Sequence, residues 1–126
     1  AFIRGLQDAG VATALITASR NAVPVLGGAG LLDLFEVRVD GIVARELDLP
    51  GKPAPDVFLE AMRRVGGEIA STAIVEDAVS GVQAGRAGDF ALVIGVNRED
   101  AVHGERLADN GADIVVTSMS QVSVQP

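Results

Sequence analysis

The chain has 126 residues, which bounds it to one domain able to bury roughly two-thirds of its unfolded surface. A composition of 48% hydrophobic and 21% charged residues excludes a disordered chain, and the absence of cysteine excludes disulfides, thiol catalysis and zinc–thiolate sites. Ten Lys or Arg against 17 Asp or Glu give a net charge of −7, and the four aromatics are all Phe, so neither a nucleic acid nor an anionic membrane is an expected partner.

No run of about 18 apolar residues offers a membrane span. Residues 1–8 lack the basic and apolar blocks of a signal peptide, so a cytoplasmic location is expected. With so few aromatics, the core is expected to be built from Ala, Val, Leu and Ile.

Helix and strand signals alternate along the chain. Residues 2–9 read as a short helix with Phe2, Leu6 and Ala9 on one face and Gly10 as its stop. Residues 11–16 are apolar except for Thr13, which suits a strand buried on both faces. Residues 22–34 read as a helix broken by Gly27, Gly28 and Gly30, and residues 35–39 as a short strand. Residues 40–53 carry charges and two prolines and read as a loop.

Residues 55–65 give the clearest helix signal. Pro55 suits its first position, Asp56 its first turn, and Val57, Phe58, Ala61, Met62 and Val65 one apolar face. A strand over 73–75, a helix over 79–87, a strand over 91–96, a helix over 99–110 and a strand over 114–116 follow. Strands separated by helices imply a parallel sheet with right-handed crossovers, a Rossmann-like three-layer α/β/α arrangement.

In such sheets ligands sit beyond the carboxyl ends of the strands. Three polar clusters fall there: Thr17-Ala18-Ser19-Arg20-Asn21, Gly51-Lys52-Pro53-Ala54-Pro55-Asp56, and Glu76-Asp77. A hydroxyl, backbone amides and a lysine bind phosphate oxygens. Adjacent carboxylates hold a hard divalent cation such as Mg²⁺. Singly, Thr17 or Ser19 could be a helix cap, Lys52 a solvated lysine, and Glu76-Asp77 a pair favoured by a helix dipole. Jointly, at the ends of successive strands, they suit a phosphoryl group bridged to a metal. The single histidine, His103, is expected on a polar helix surface far from the strand ends. Asp8, Asp33, Asp100 and Asp109 are expected to be solvated charges on helix faces.

These clusters resemble the haloacid dehalogenase superfamily in its β-phosphoglucomutase-like branch. Leu15-Ile16-Thr17-Ala18-Ser19-Arg20-Asn21 resembles the second motif, and Gly51-Lys52-Pro53-Ala54-Pro55-Asp56-Val57-Phe58 the third. Ile74-Val75-Glu76-Asp77-Ala78-Val79-Ser80-Gly81-Val82-Gln83-Ala84-Gly85 resembles the fourth, and residues 111–116 the closing strand. The resemblance implies that Thr17 and the Ala18 amide bind the transferring phosphoryl group and that Lys52 neutralises its oxygens. It implies that Asp77 binds Mg²⁺, with Glu76 as a further ligand or one step removed. Ser19, Arg20 and Asn21 would hold the rest of a small phosphorylated substrate, a sugar phosphate.

The sequence departs from that family at one point. No Asp-x-Asp follows an apolar strand, although this first motif supplies the family's nucleophile and general acid/base, and the helical cap domain has no counterpart. The resemblance therefore implies an incomplete core domain over 1–126, carrying motifs two to four, whose sheet lacks its central strand. A separate segment or second chain bearing Asp-x-Asp is the expected completion, and the chain alone is expected to turn nothing over. The alternative class is a non-catalytic binding or interaction module. A receiver-type phosphoacceptor is disfavoured, because it needs a lysine after the last strand and none follows Lys52.

Overall fold

A computed structural model describes residues 5–6, 8–16, 37–39 and 41–118. Among the described residues the elements run in the order β1 (Ala14–Ile16), β2 (Val37–Val39), α1 (Gly41–Glu46), α2 (Asp56–Arg64), β3 (Ala73–Glu76), α3 (Val79–Ala87), β4 (Leu92–Val96), α4 (Ala101–Asp109) and β5 (Ile114–Val116). A short 3₁₀ turn, Ile69–Ser71, leads into β3, and residues 5, 6 and 8 are helical. The expected helix over 22–34 and the cluster Thr17 to Asn21 lie outside the described residues.

All strand pairs are parallel. They form two ladders, β1–β2 and β3–β4–β5, and among the described residues no backbone pairing joins them. In the first, Ala14 faces Val37 and Ile16 faces Val39; in the second, Ile74 faces Val93 and Ile94 faces Ile114.

Side-chain packing is continuous where the ladder is not. One core cluster unites Val39 of β2, Val57, Phe58 and Ala61 of α2, Ile74 of β3, Val82 and Ala84 of α3, Val93 of β4 and Leu107 of α4. Helix α2 packs on β1 and β2, α3 on β3 and β4, and α4 on β4 and β5, while α2 also touches α3. Phe58 and Phe90 meet edge-to-face with centroids 6.1 Å apart, so two of the four Phe join the aliphatic core. Ile94, Val96 and Val116 form a second cluster on the opposite face, as strand alternation requires.

The element ends follow local chemistry. Helix α2 starts after Pro55, one residue later than expected, and closes on Gly66, whose φ of +72° suits glycine. Helix α4 starts at Ala101 because the Asp100 carboxylate caps it, accepting from the His103 amide at 2.9 Å. Asp100 is thus a cap and not a bystander charge.

The loop expected over residues 40–53 needs correction, because residues Gly41–Glu46 form α1. Val43 and Ala44 lean against the main core, and that packing organises a segment whose charges and prolines suggested none. Strand β1 is also shorter than expected: residues 11–13 lie outside the strand, although Thr13 is buried.

Candidate functional site

The carboxyl ends of β1, β3 and β4 open on one cleft, lined by Ile16, Val75, Glu76, Asp77, Val96 and Arg98. Ile16 ends β1 and Glu76 ends β3, so the two unjoined ladders meet at this cleft. Thr17 follows Ile16 directly; the positions of Thr17, Ala18, Ser19, Arg20 and Asn21 themselves lie outside the described residues.

Lys52 and Glu76 are 24 residues apart in sequence and form a direct ion pair. Lys52 is held from below as well, its ammonium 5.2 Å from the centre of the Phe58 ring. Phe58 sits in the first turn of α2, so the helix that begins after Pro55 places the platform under the lysine. The Glu76 side chain is only 10% exposed, and its second oxygen accepts from the backbone amides of Asp77 at 3.1 Å and Ala78 at 3.4 Å. A carboxylate this covered is tolerable because a cation and two N–H groups compensate it.

Gly81, in the first turn of α3, makes room for that carboxylate. A Cβ there would lie 2.1 Å from the Glu76 carboxyl carbon. The expected Gly-rich helix after Glu76-Asp77 thus has a concrete function, which is to let α3 start against the end of β3.

Asp77 is exposed at the mouth of the cleft, and among the described residues no hydrogen bond or ion pair engages its carboxylate. Its backbone carbonyl, however, lies 2.9 Å from His103 Nε2. His103 is therefore not far from the strand ends. In parallel β–α units the first turn of each helix lies at the same sheet edge as the strand carboxyl ends, so residue three of α4 returns to the β3 loop. Arg98, two residues beyond β4, is a further cleft residue that the sequence reading passed over; the same topology would have found it.

Glu76 and Asp77 are hard oxygen donors of the kind Mg²⁺ prefers. Their fit is that of a partial site. Glu76 is already engaged by Lys52 and two amides, Asp77 is the unengaged carboxylate, and among the described residues no group of three or more metal-capable side chains gathers. The arrangement offers a cation from Lys52, paired with Glu76, and an anion from the adjacent Asp77. It suits a ligand that carries negative oxygens and shares them with a metal.

This architecture is that of a Rossmann-like α/β domain with a polar cleft at its strand ends. A family model for haloacid dehalogenase-like hydrolases matches residues 1–89, and the chain belongs to that family, in its β-phosphoglucomutase-like branch. It is 42% identical over 122 residues to a β-phosphoglucomutase of Mycobacterium bovis, covering 96% of this chain and 47% of that protein. It is 32% identical over 126 residues to a trehalose-phosphate phosphatase of Mycobacterium leprae, covering 98% of this chain and 28% of that protein. A haloacid dehalogenase family hydrolase of Deinococcus radiodurans, solved with bound phosphate and sodium, superposes with a TM-score of 0.80 at 28% identity, over 95% of this chain and 53% of that one. The chain spans about half the length of the β-phosphoglucomutase relatives it matches, or less.

Proposed function

We propose that this chain carries the phosphoryl- and metal-binding part of a Mg²⁺-dependent phosphotransferase or phosphatase acting on a small phosphorylated metabolite, a sugar phosphate. The observation that carries this reading is that Glu76 and Asp77 line one cleft with the end of β1, and that Lys52 pairs with Glu76 there. The relatives support it, since their names combine a sugar-phosphate mutase with a sugar-phosphate phosphatase.

In this reading Thr17 and the Ala18 amide donate to the phosphoryl oxygens, and Ser19, Arg20 and Asn21 orient the remainder of the substrate. Lys52 faces the same oxygens while its partner Glu76 keeps it extended over Phe58. Asp77 is the direct metal ligand, and Glu76 stands beside it. When bound, Mg²⁺ would neutralise phosphoryl charge and keep Asp77 ionised. Phosphoryl transfer needs mostly such positioning and charge neutralisation, which is what these residues offer.

The nucleophile is not among them. We propose that an Asp-x-Asp strand, from a further segment or a second chain, inserts between β1 and β3, and that residues 1–126 form the part of the core domain bearing motifs two to four. A strand there would pair the facing edges of both ladders, which have no strand partner among the described residues.

The test starts with the intact mass of everything in the purified sample under denaturing conditions, followed by a phosphatase and mutase screen. Mg²⁺-dependent turnover is expected only where an Asp-x-Asp segment accompanies the 12.9 kDa species. Turnover by the pure 12.9 kDa chain that Asp77→Asn abolishes would overturn the proposed completion. Absence of turnover across sugar phosphates with that segment present would overturn the function and favour a binding module.

A further inference from the structure

We infer that His103 is a positioning residue for the Asp77 carboxylate, acting through the peptide that follows Asp77; the inference rests on the reading of Asp77 as a metal ligand. The Asp77–Ala78 peptide is held from two sides. Its N–H donates to Glu76 Oε2 at 3.4 Å, and its carbonyl lies 2.9 Å from His103 Nε2. A carbonyl only accepts, so this bond needs the proton on Nε2.

His103 is itself well placed to hold. Its side chain is 14% exposed, and its backbone amide donates to the Asp100 cap. Asn97 secures the same turn, its side-chain amide donating to the Asp100 carbonyl at 2.9 Å and its side-chain oxygen accepting from the Glu99 amide at 3.1 Å. A continuous chain of contacts thus runs from Lys52 through Glu76, the Asp77–Ala78 peptide and His103 to the start of α4.

The consequence concerns Asp77. Its carboxylate has no partner of its own among the described residues, where the contacts that act on Asp77 are made to its backbone. A peptide fixed on one side by Glu76 alone could pivot about that bond. The second hold, from a different helix, removes that freedom, and metal ligands gain affinity when such outer contacts orient them. Nothing in the local sequence around Glu76-Asp77 signals a residue 26 positions away; the βαβ topology brings it there.

The test compares the 126-residue chain with His103→Phe, which keeps a ring but no donor, and His103→Gln, which keeps a donor. Two quantities are read: the exchange rate of the Ala78 amide, and Mg²⁺ affinity by calorimetric titration, with Asp77→Asn as reference. His103→Phe is expected to speed Ala78 exchange about fivefold to tenfold and to weaken Mg²⁺ by a similar factor, the worth of one hydrogen bond. His103→Gln should recover much of both, and the urea midpoint should hardly move. Unchanged Ala78 exchange and Mg²⁺ affinity in His103→Phe would overturn the inference while leaving Asp77 as ligand intact. Equal Mg²⁺ affinity in the unsubstituted chain and Asp77→Asn would instead overturn the metal reading, and with it this function of His103. Should His103→Phe fail to fold, His103→Ala supplies the same comparison.

Discussion

The three-stranded and two-stranded halves of the molecule are held by different means. In the β3–β4–β5 half, β4 is paired on both sides, four of its five residues are buried, and two helices close one face. In the β1–β2 half, two three-residue strands pair with each other, β1 is only half-buried throughout, and α2, with a smaller contribution from α1, joins them to the common core. The first half has the order of a finished sheet. The second depends on side chains, chiefly Val57, Phe58 and Ala61, reaching across from α2. The candidate site lies where the two meet, so its lysine comes from the loop before α2 and its carboxylates from the better-ordered half.

The largest effect should fall on chemistry and not on folding. In the completed enzyme, Asp77→Asn is expected to lower Mg²⁺-dependent turnover at least about a hundredfold, while the urea midpoint stays within error, because Asp77 is exposed. Lys52→Ala should lower turnover comparably and also destabilise by about 1–3 kcal/mol, since it leaves the covered Glu76 carboxylate uncompensated. Equal turnover in both variants and the parent would remove the site from this cleft.

Core truncations sharpen the contrast between the halves. Leu107→Ala, at a fully buried position under β4 and β5, is expected to cost about 3 kcal/mol. Ile16→Ala, at a half-buried position in β1, is expected to cost about 1 kcal/mol. Similar costs in a urea titration would mean that the two halves are equally consolidated.

Gly81→Ala should cost about 1–3 kcal/mol, because the new methyl occupies the place of the Glu76 carboxyl group. It should also release Lys52, so in a Glu76→Gln background, which keeps the clash but not the ion pair, the cost of Gly81→Ala should shrink without vanishing.

The smallest effect concerns acid stability. Asp113 links β4 to the turn before β5: it accepts from the Val93 amide at 2.8 Å and pairs with Arg86. The Val93 bond first, and Arg86 next, hold its carboxyl below its ordinary value. A carboxyl lowered in the folded state contributes stability that is present above the unfolded value of about 3.8 and lost as pH falls through the folded one. Asp113→Asn should therefore flatten the decline of stability on the acid side of that value, with little change in slope near neutrality. An unchanged acid limb in pH-dependent melts would assign that decline to other carboxylates, such as Glu60, which Arg63 and Arg64 lower in the same way.

Much of this was readable in the sequence. Helix 79–87 and strand 114–116 were expected at the bounds they have, because uninterrupted apolar patterns ended by Gly88 and preceded by Gly111 leave little alternative. The approach of Lys52 to Glu76-Asp77 followed from the rule that strand ends share an edge. What escaped notice was non-local. Helix α1 forms because Val43 and Ala44 find a core supplied by other elements, and composition alone does not show that core. His103 looked like a surface residue because its helix is polar; its position in the first turn, and not its neighbours, decides what it touches. The direct Lys52–Glu76 pair is hidden for a related reason, since the sequence pattern suggests that both residues reach for ligands and not for each other.

The proposed metal-dependent phosphoryl site depends most directly on Asp77, whose carboxylate nothing engages among the described residues. One measurement bears on it directly: calorimetric titration of Mg²⁺, in the presence of inorganic phosphate, into the 126-residue chain and into Asp77→Asn. The account predicts weak binding to the former that Asp77→Asn removes. Identical isotherms for the two chains would contradict it.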